Sequence, residues 1–197
     1  MQHLSWKIIT LHAVLIFLLF PSCMPQKKAA NDRAMADRTR MEIERTRMES
    51  EQYVVDGDYK SAMDVYTDAN RKHPKHPMLS TNYHKTIEDI HRAADEAFTR
   101  EDFASSGRAY FVLLKNYPYY QELIPELSFD KGFLHARLED CSSHLSQRAL
   151  ADYRKGNLAE AISIWKSILA FDPNNSGIAK SIDTATIQLK NLQQKRE

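Results

Sequence analysis

Apolar residues recur along most of this chain three and four positions apart, the spacing that lines one face of a helix. Phe133, Leu134, Leu138, Cys141, Leu145, Ala149 and Tyr153 make one such stripe and predict a long helix over 128–155. Ile178, Ile182, Ala185, Ile187, Leu189 and Leu192 make another, over 176–195. The segment 78–100, just after His76 and Pro77, reads as a third. Upstream, 29–52 is charged and favours helix. It carries only a sparse apolar seam of Met35, Met41, Ile43 and Met48, and runs straight into the next helical stretch. One segment breaks the periodicity: 117–125, with Pro118 and Pro125 near its ends, reads as a connecting loop or short turn. Only 5 glycines, with frequent Ala, Leu, Glu, Lys and Arg, agree with an all-α fold.

Superimposed on the helical pattern is a longer recurrence. Gly57-Asp58-Tyr59 is followed by Ala62, Tyr66, Ala69 and Pro74. Gly156-Asn157-Leu158 is followed at the same offsets by Ala161, Trp165, Ile168 and Pro173. Between them, Glu101-Asp102-Phe103 precedes Ser106, Tyr110, Leu113 and Pro118. Small residues stand at one common distance upstream: Ser50, Ala94 and Ala149. The turn residues end one helix, and the Asp or Asn caps the next. Small residues let antiparallel helices approach, aromatics fill the space beside them, and the proline stops the second helix.

This set resembles the tetratricopeptide repeat (TPR), a helix–turn–helix unit of about 34 residues. The likeness is strong at 56–74 and 153–175 and weaker in the middle unit, where Glu101 replaces the turn glycine and Ser106 the alanine. The resemblance implies an all-α, TPR-like α-solenoid of antiparallel helix pairs. It would have three irregular repeats over about 43–76, 87–120 and 142–175, and a C-terminal capping helix over 176–195. The turns at 57, 101 and 156 lie 44 and 55 residues apart, so the first helices of the second and third units are expected to extend backwards. In TPR proteins the first helix of each pair lines the surface that binds partner peptides. Carried over by position, that surface is Arg47, Glu51 and Val54, then His91, Asp95 and Phe98, then Leu150, Tyr153 and Arg154.

The N-terminus carries a different signal. Lys7 precedes the apolar run 8–20, and Pro21-Ser22-Cys23 follows. A helix over that run would be about 20 Å long, short of the roughly 30 Å hydrocarbon core, so a secretory signal fits better than a span. The residues 19–23 (LFPSC) resemble a bacterial lipobox in having small Ser22 before Cys23. Phe20 and Pro21 depart from the family's usual residues. The resemblance implies removal of 1–22, lipidation of Cys23 by acyl chains such as palmitate, and a short tether over 23–28 before the helical domain 29–197. It also implies a cell-envelope position, lipid-anchored on the periplasmic face of the outer membrane. An uncleaved signal anchor is the alternative.

Charge narrows the function further. The chain has 27 Lys and Arg against 26 Asp and Glu, and loss of 1–22 removes one Lys and leaves 26 of each. A neutral chain with no basic concentration does not suggest nucleic acid. No phosphate loop, nucleophile elbow or H-E-x-x-H occurs, so neither enzyme, cofactor nor metal site is expected. His73 and His76 read as helix-end residues, His84 and His91 as surface or groove residues. Glu88, Asp89, Asp95 and Glu96 read as a solvated helix face. With Cys23 acylated, Cys141 is the one remaining thiol and is expected to be a small buried residue. The expected function is a non-enzymatic scaffold in a cell-envelope complex serving outer-membrane assembly, secretion or pilus biogenesis, binding other envelope proteins through the TPR surface. The alternative is a cell-wall or glycan-binding accessory factor, with Tyr117, Tyr119 and Tyr120 stacking on sugar rings.

Overall fold

The computed structural model describes residues 24–194, with side chains from Lys28 onward. Among these residues there are seven α-helices and no strand. They are α1 (Met24–Val55), α2 (Tyr59–Lys72), α3 (Pro77–Thr99), α4 (Phe103–Asn116), α5 (Lys131–Arg154), α6 (Leu158–Leu169) and α7 (Ser176–Gln194). Two 3-10 turns, Tyr117–Tyr119 and Gln121–Glu126, lie between α4 and α5. From α2 onward each helix packs against its neighbour in sequence. Contacts divide the chain into Met1–Glu42 and Ile43–Glu197. Among the described residues no helix is long and apolar enough to cross a membrane.

The turns at 57, 101 and 156 share one geometry. Gly57, Glu101 and Gly156 adopt φ of 73°, 60° and 81°. The Gly57 N–H donates to Val54 O (3.1 Å) and the Asp58 N–H to Tyr53 O (2.9 Å). The same pair of bonds recurs from Glu101 to Phe98 (3.0 Å) and Asp102 to Ala97 (2.9 Å), then from Gly156 to Tyr153 (3.0 Å) and Asn157 to Asp152 (2.9 Å). This is the Schellman closure, which satisfies the last carbonyls of one helix and reverses the chain in two residues. The next helix begins at once. Asp58 accepts from Ser61 N and Asp102 from Ser105 N, both at 3.1 Å. Asn157 makes no such cap and instead donates through Nδ2 to Asp152 Oδ1 (3.2 Å).

Helices reversed so tightly must pack closely, and the recurring positions are where they do. Ser50, Ala62, Ala94, Ser106, Ala149 and Ala161 are all fully buried, so are the larger Tyr66, Tyr110, Leu113 and Ile168, and Trp165 is buried beside them. The two serines keep hydrogen bonds inside the core. Ser50 Oγ donates to Ala62 O (3.1 Å) and lies 3.3 Å from Thr86 Oγ1; the Cys141 thiol donates to Ser106 Oγ (3.6 Å). Cys141 is a free, fully buried thiol whose pKa burial pushes upward. Gly107 marks another close approach, since a Cβ there would meet the Phe171 ring at 2.6–2.9 Å.

Several expectations need correcting in detail. Met35, Met41 and Met48 do not form an apolar seam: all three are exposed, and Ile43 is the first buried residue of α1. Ile43 is also where the second compact unit begins. Residues 24–28 are the first turn of α1. Helix α5 starts at Lys131 rather than 128, because Asp130 caps it by accepting from Phe133 N (2.7 Å) while Phe129 is buried in the core. The segment 117–125 folds into the two 3-10 turns, with Tyr120 buried and its hydroxyl donating to Leu113 O (2.8 Å).

The turn geometry sets opposite signs for two substitutions. Glu101→Gly should stabilise the chain by about 1 kcal/mol by relieving a left-handed side chain, and Gly156→Ala should destabilise it by about as much. Urea unfolding followed by circular dichroism reads both. Equal shifts of one sign would mean these turns do not hold the φ values described.

Candidate interaction surface

The positions expected to line a groove fall in three patches with different chemistry. In the first, Arg47 donates to Glu44 Oε1 from Nε (3.0 Å) and Nη2 (2.5 Å), and from Nη1 to Glu51 Oε2 (2.5 Å). Lys85 Nζ, on α3, donates to the other Glu51 oxygen at 2.8 Å. Glu51 therefore spends both oxygens inside the chain. The Lys85 hydrogen bond is the largest cause holding its carboxyl below the ordinary range, burial opposes it, and the Arg47 bond adds to it. Val54 is half-buried and packs against the main core.

The second patch centres on α3. His91 is 12% exposed at its side chain and sits against the rings of Phe129 (4.5 Å between centroids) and Phe133 (5.3 Å). Asp95 accepts a hydrogen bond from the buried Tyr110 hydroxyl. Burial first, and that bond second, push Tyr110 well above the usual tyrosine range. Asp95 Oδ2 lies 3.5 Å from His91 Nε2, and Oδ1 lies 3.9 Å from Arg137 Nη2 on α5. The Arg137 guanidinium stacks over Phe98 (4.5 Å) and Phe133 (5.1 Å), a cation–π arrangement that covers Phe98.

The segment after the second 3-10 turn closes over the same helix. Ser128 donates from its N–H to Glu88 Oε1 (2.7 Å) and from Oγ to Glu88 Oε2 (2.6 Å), and its Oγ lies 3.2 Å from His91 Nδ1. His84 Nε2 lies 3.1 Å from Glu126 O. Glu88 and Asp95 are thus not members of a merely solvated face. They are the fixed acceptors that hold a loop and a neighbouring helix. What remains open is a cleft of about 560 Å³ lined by Asp95, Glu96, Arg100 and Ser128 among others.

The third patch is the end of α5. Leu150 is 40% exposed, Arg154 is exposed, and Tyr153 is half-buried with its ring 5.7 Å from Trp165. Tyr153 and Arg154 border a cleft shared with α7.

His91, Asp95 and Phe98 lie along α3, and the structure adds Glu88, Ser128 and Arg137 around them, which sequence reasoning did not single out as parts of a site. Only Glu88 left a trace, in the i, i+4, i+7 spacing of His84, Glu88 and His91 on one helix face. The tyrosine cluster does not present three rings: Tyr120 is buried, Tyr117 is half-buried with its ring packed on Tyr120 at 5.3 Å, and Tyr119 alone of the three is exposed. His73 caps the end of α2, and His76 occupies the position before α3. No group of three His, Cys, Asp or Glu side chains among the described residues is placed to hold a metal ion. Cys23 lies outside the described residues. Compared with protein-family models, curated proteins and solved structures, the chain matches none.

Two outcomes follow from these geometries. Glu51, with its lowered carboxyl pKa, contributes stability that is complete above its ordinary value of 4.5 and is lost as pH falls through the lower folded value. Glu51→Gln should flatten the acid limb of the unfolding midpoint below about pH 4.5, and an unchanged limb would remove the Lys85 pair from the account. Glu88→Ala should speed amide exchange at Ser128 at least about tenfold, roughly 1.4 kcal/mol of lost protection, while core amides of α4 and α6 hold. Native-state hydrogen exchange measures it.

Proposed function

We propose that this chain is a non-enzymatic, membrane-anchored interaction scaffold of the TPR type. In this reading three helix pairs stack as an α-solenoid, α7 closes the last apolar face, and partner proteins of a cell-envelope complex bind along the first helices. The observation that carries it is the threefold recurrence of one unit: a Schellman turn with a left-handed residue at 57, 101 and 156, flanked each time by small buried residues. Chance likeness to a repeat would reproduce letters, not the same pair of hydrogen bonds and the same buried positions in three places.

Anchoring is proposed from the sequence: removal of 1–22 and acylation of Cys23 would place the helical region at a membrane surface, and two or more acyl chains hold where one does not. Serving outer-membrane assembly, secretion or pilus biogenesis is consistent with such a scaffold. The exposure of Tyr119 alone gives the glycan-binding alternative little support.

One experiment tests both halves in the native host. Metabolic labelling with a clickable fatty acid should mark the wild-type chain and not Cys23→Ser, and gentle crosslinking of the envelope should capture protein partners of the wild type. Equal label in both chains would refute the anchor. Crosslinking that retrieves no protein would refute the scaffold.

A further inference from the structure

The three patches differ in whether their charges are already used. Arg47, Lys85, Arg92, Arg100 and Arg137 each lie within ion-pair distance of an acid of this chain. Arg154, by contrast, is exposed and forms no ion pair among the described residues. It stands at the rim of a cleft of about 510 Å³ between the end of α5 and the last turns of α7. Buried Leu158 and half-buried Tyr153 give the cleft an apolar floor, and Leu192, 49% exposed, borders it. Gln188 and Asn191 complete the lining with amides, and no carboxylate among the described residues lines the cleft.

An anion near a helix C-terminus meets the negative end of the dipole, but here that end is largely satisfied. Lys155 N donates to Ala151 O (3.2 Å), Gly156 N to Tyr153 O (3.0 Å) and Asn157 N to Asp152 O (2.9 Å). The nearby Asp152 carboxylate accepts from Asn157 Nδ2. A free guanidinium, two amides and an apolar floor together complement one kind of group. It is a carboxylate with a large apolar side chain beside it.

We propose that this cleft docks an acidic peptide segment of a partner protein, its carboxylate on Arg154 and its apolar side chain between Tyr153 and Leu192. The proposal rests on the scaffold reading and assigns its partner chemistry. Surfaces neutralised from within, at Arg47–Glu51 and around Asp95, have no such charge to offer.

Short random peptides displayed on phage, panned against the full chain held in detergent, test the assignment. Wild type should enrich peptides with Asp or Glu next to Leu, Ile, Phe or Met. Against Arg154→Glu the acidic bias should disappear and Lys or Arg replace it, with helical circular dichroism unchanged. Arg154→Gln should lose the bias without reversing it. A single enriched acidic peptide should bind Arg154→Glu at least about tenfold more weakly by fluorescence anisotropy. The same pool selected by wild type and Arg154→Glu would overturn the cleft while leaving the scaffold reading in place. No enrichment at all would overturn the cleft and weaken that reading too. Self-association abolished by Arg154→Glu would put a second copy in the cleft and overturn the acidic-peptide assignment.

Discussion

Two helix backbones that reverse on a two-residue turn have to pack closely, and they can do so only where side chains at the crossing are small. In this chain that requirement falls on Ser50, Ala62, Ala94, Ser106, Ala149 and Ala161, all at 0% exposure. Close approach then fixes the turns, because reversal in so few residues needs one left-handed residue and a Schellman closure. It also fixes what surrounds the contact. A serine at a crossing brings a hydroxyl into a dry core, where an unpartnered one costs about 1–3 kcal/mol. The Ala62 carbonyl and Thr86 meet that need for Ser50, and the Cys141 thiol meets it for Ser106. The buried thiol thus has a structural reason that needs no reactivity.

The unequal lengths of the helices generate the rest of the architecture. Helices α3 and α5 have 23 and 24 residues, whereas α2, α4 and α6 have 14, 14 and 12. The extra turns of the longer helices carry apolar residues, Tyr83 and Leu134 among them, that no shorter partner can cover along its full length. The 3-10 segment supplies cover instead: Tyr120 meets Tyr83 edge-on at 6.3 Å, and Leu123, Ile124, Leu127 and Phe129 join the same core. Covering a helix with irregular backbone demands polar attachment as well. Glu88 and His84 provide it by meeting Ser128 and Glu126. The same attachment brings Phe129 over His91, closing part of a surface that regular spacing would have left open.

What the sequence disclosed and what it withheld follow from the range of the interactions. Turn residues, caps and small-residue positions obey local rules, so Gly57, Asp58, Asp102 and Ala161 announced their roles. Helices α3 and α5 were legible because Ile87, Ile90 and Ala94, or Leu134, Cys141 and Leu145, recur at the helical period. Arg137 over Phe98 and Ser128 on Glu88 join residues 39 and 40 positions apart, and no periodicity encodes which pairs will meet. The methionines of α1 misled for a related reason. Periodic apolar residues imply a buried face only if something is there to bury them, and between residues 28 and 42 every residue but Thr39 is exposed.

Helix α1 is therefore held in its first half by something other than a core. Isolated helices gain little from propensity alone, and side-chain pairs three and four apart add only about 0.2–0.5 kcal/mol each. Continuity with the packed half beyond Ile43 removes the nucleation cost, after which small increments suffice to extend the helix outward. The same economy of local pairing runs through α1 to α3, where Arg45, Arg47, Arg71 and Arg92 each meet an acid within one turn. Beyond Arg137 the described residues form no ion pair. A neutral chain can thus be electrostatically quiet at one end and reactive to charge at the other. The net charge of the whole chain, +1, says nothing about that division, because pairing is a matter of position. Selectivity for a charged partner would arise where the chain has left its own charges unmatched, which is at the end of α5 rather than around Asp95.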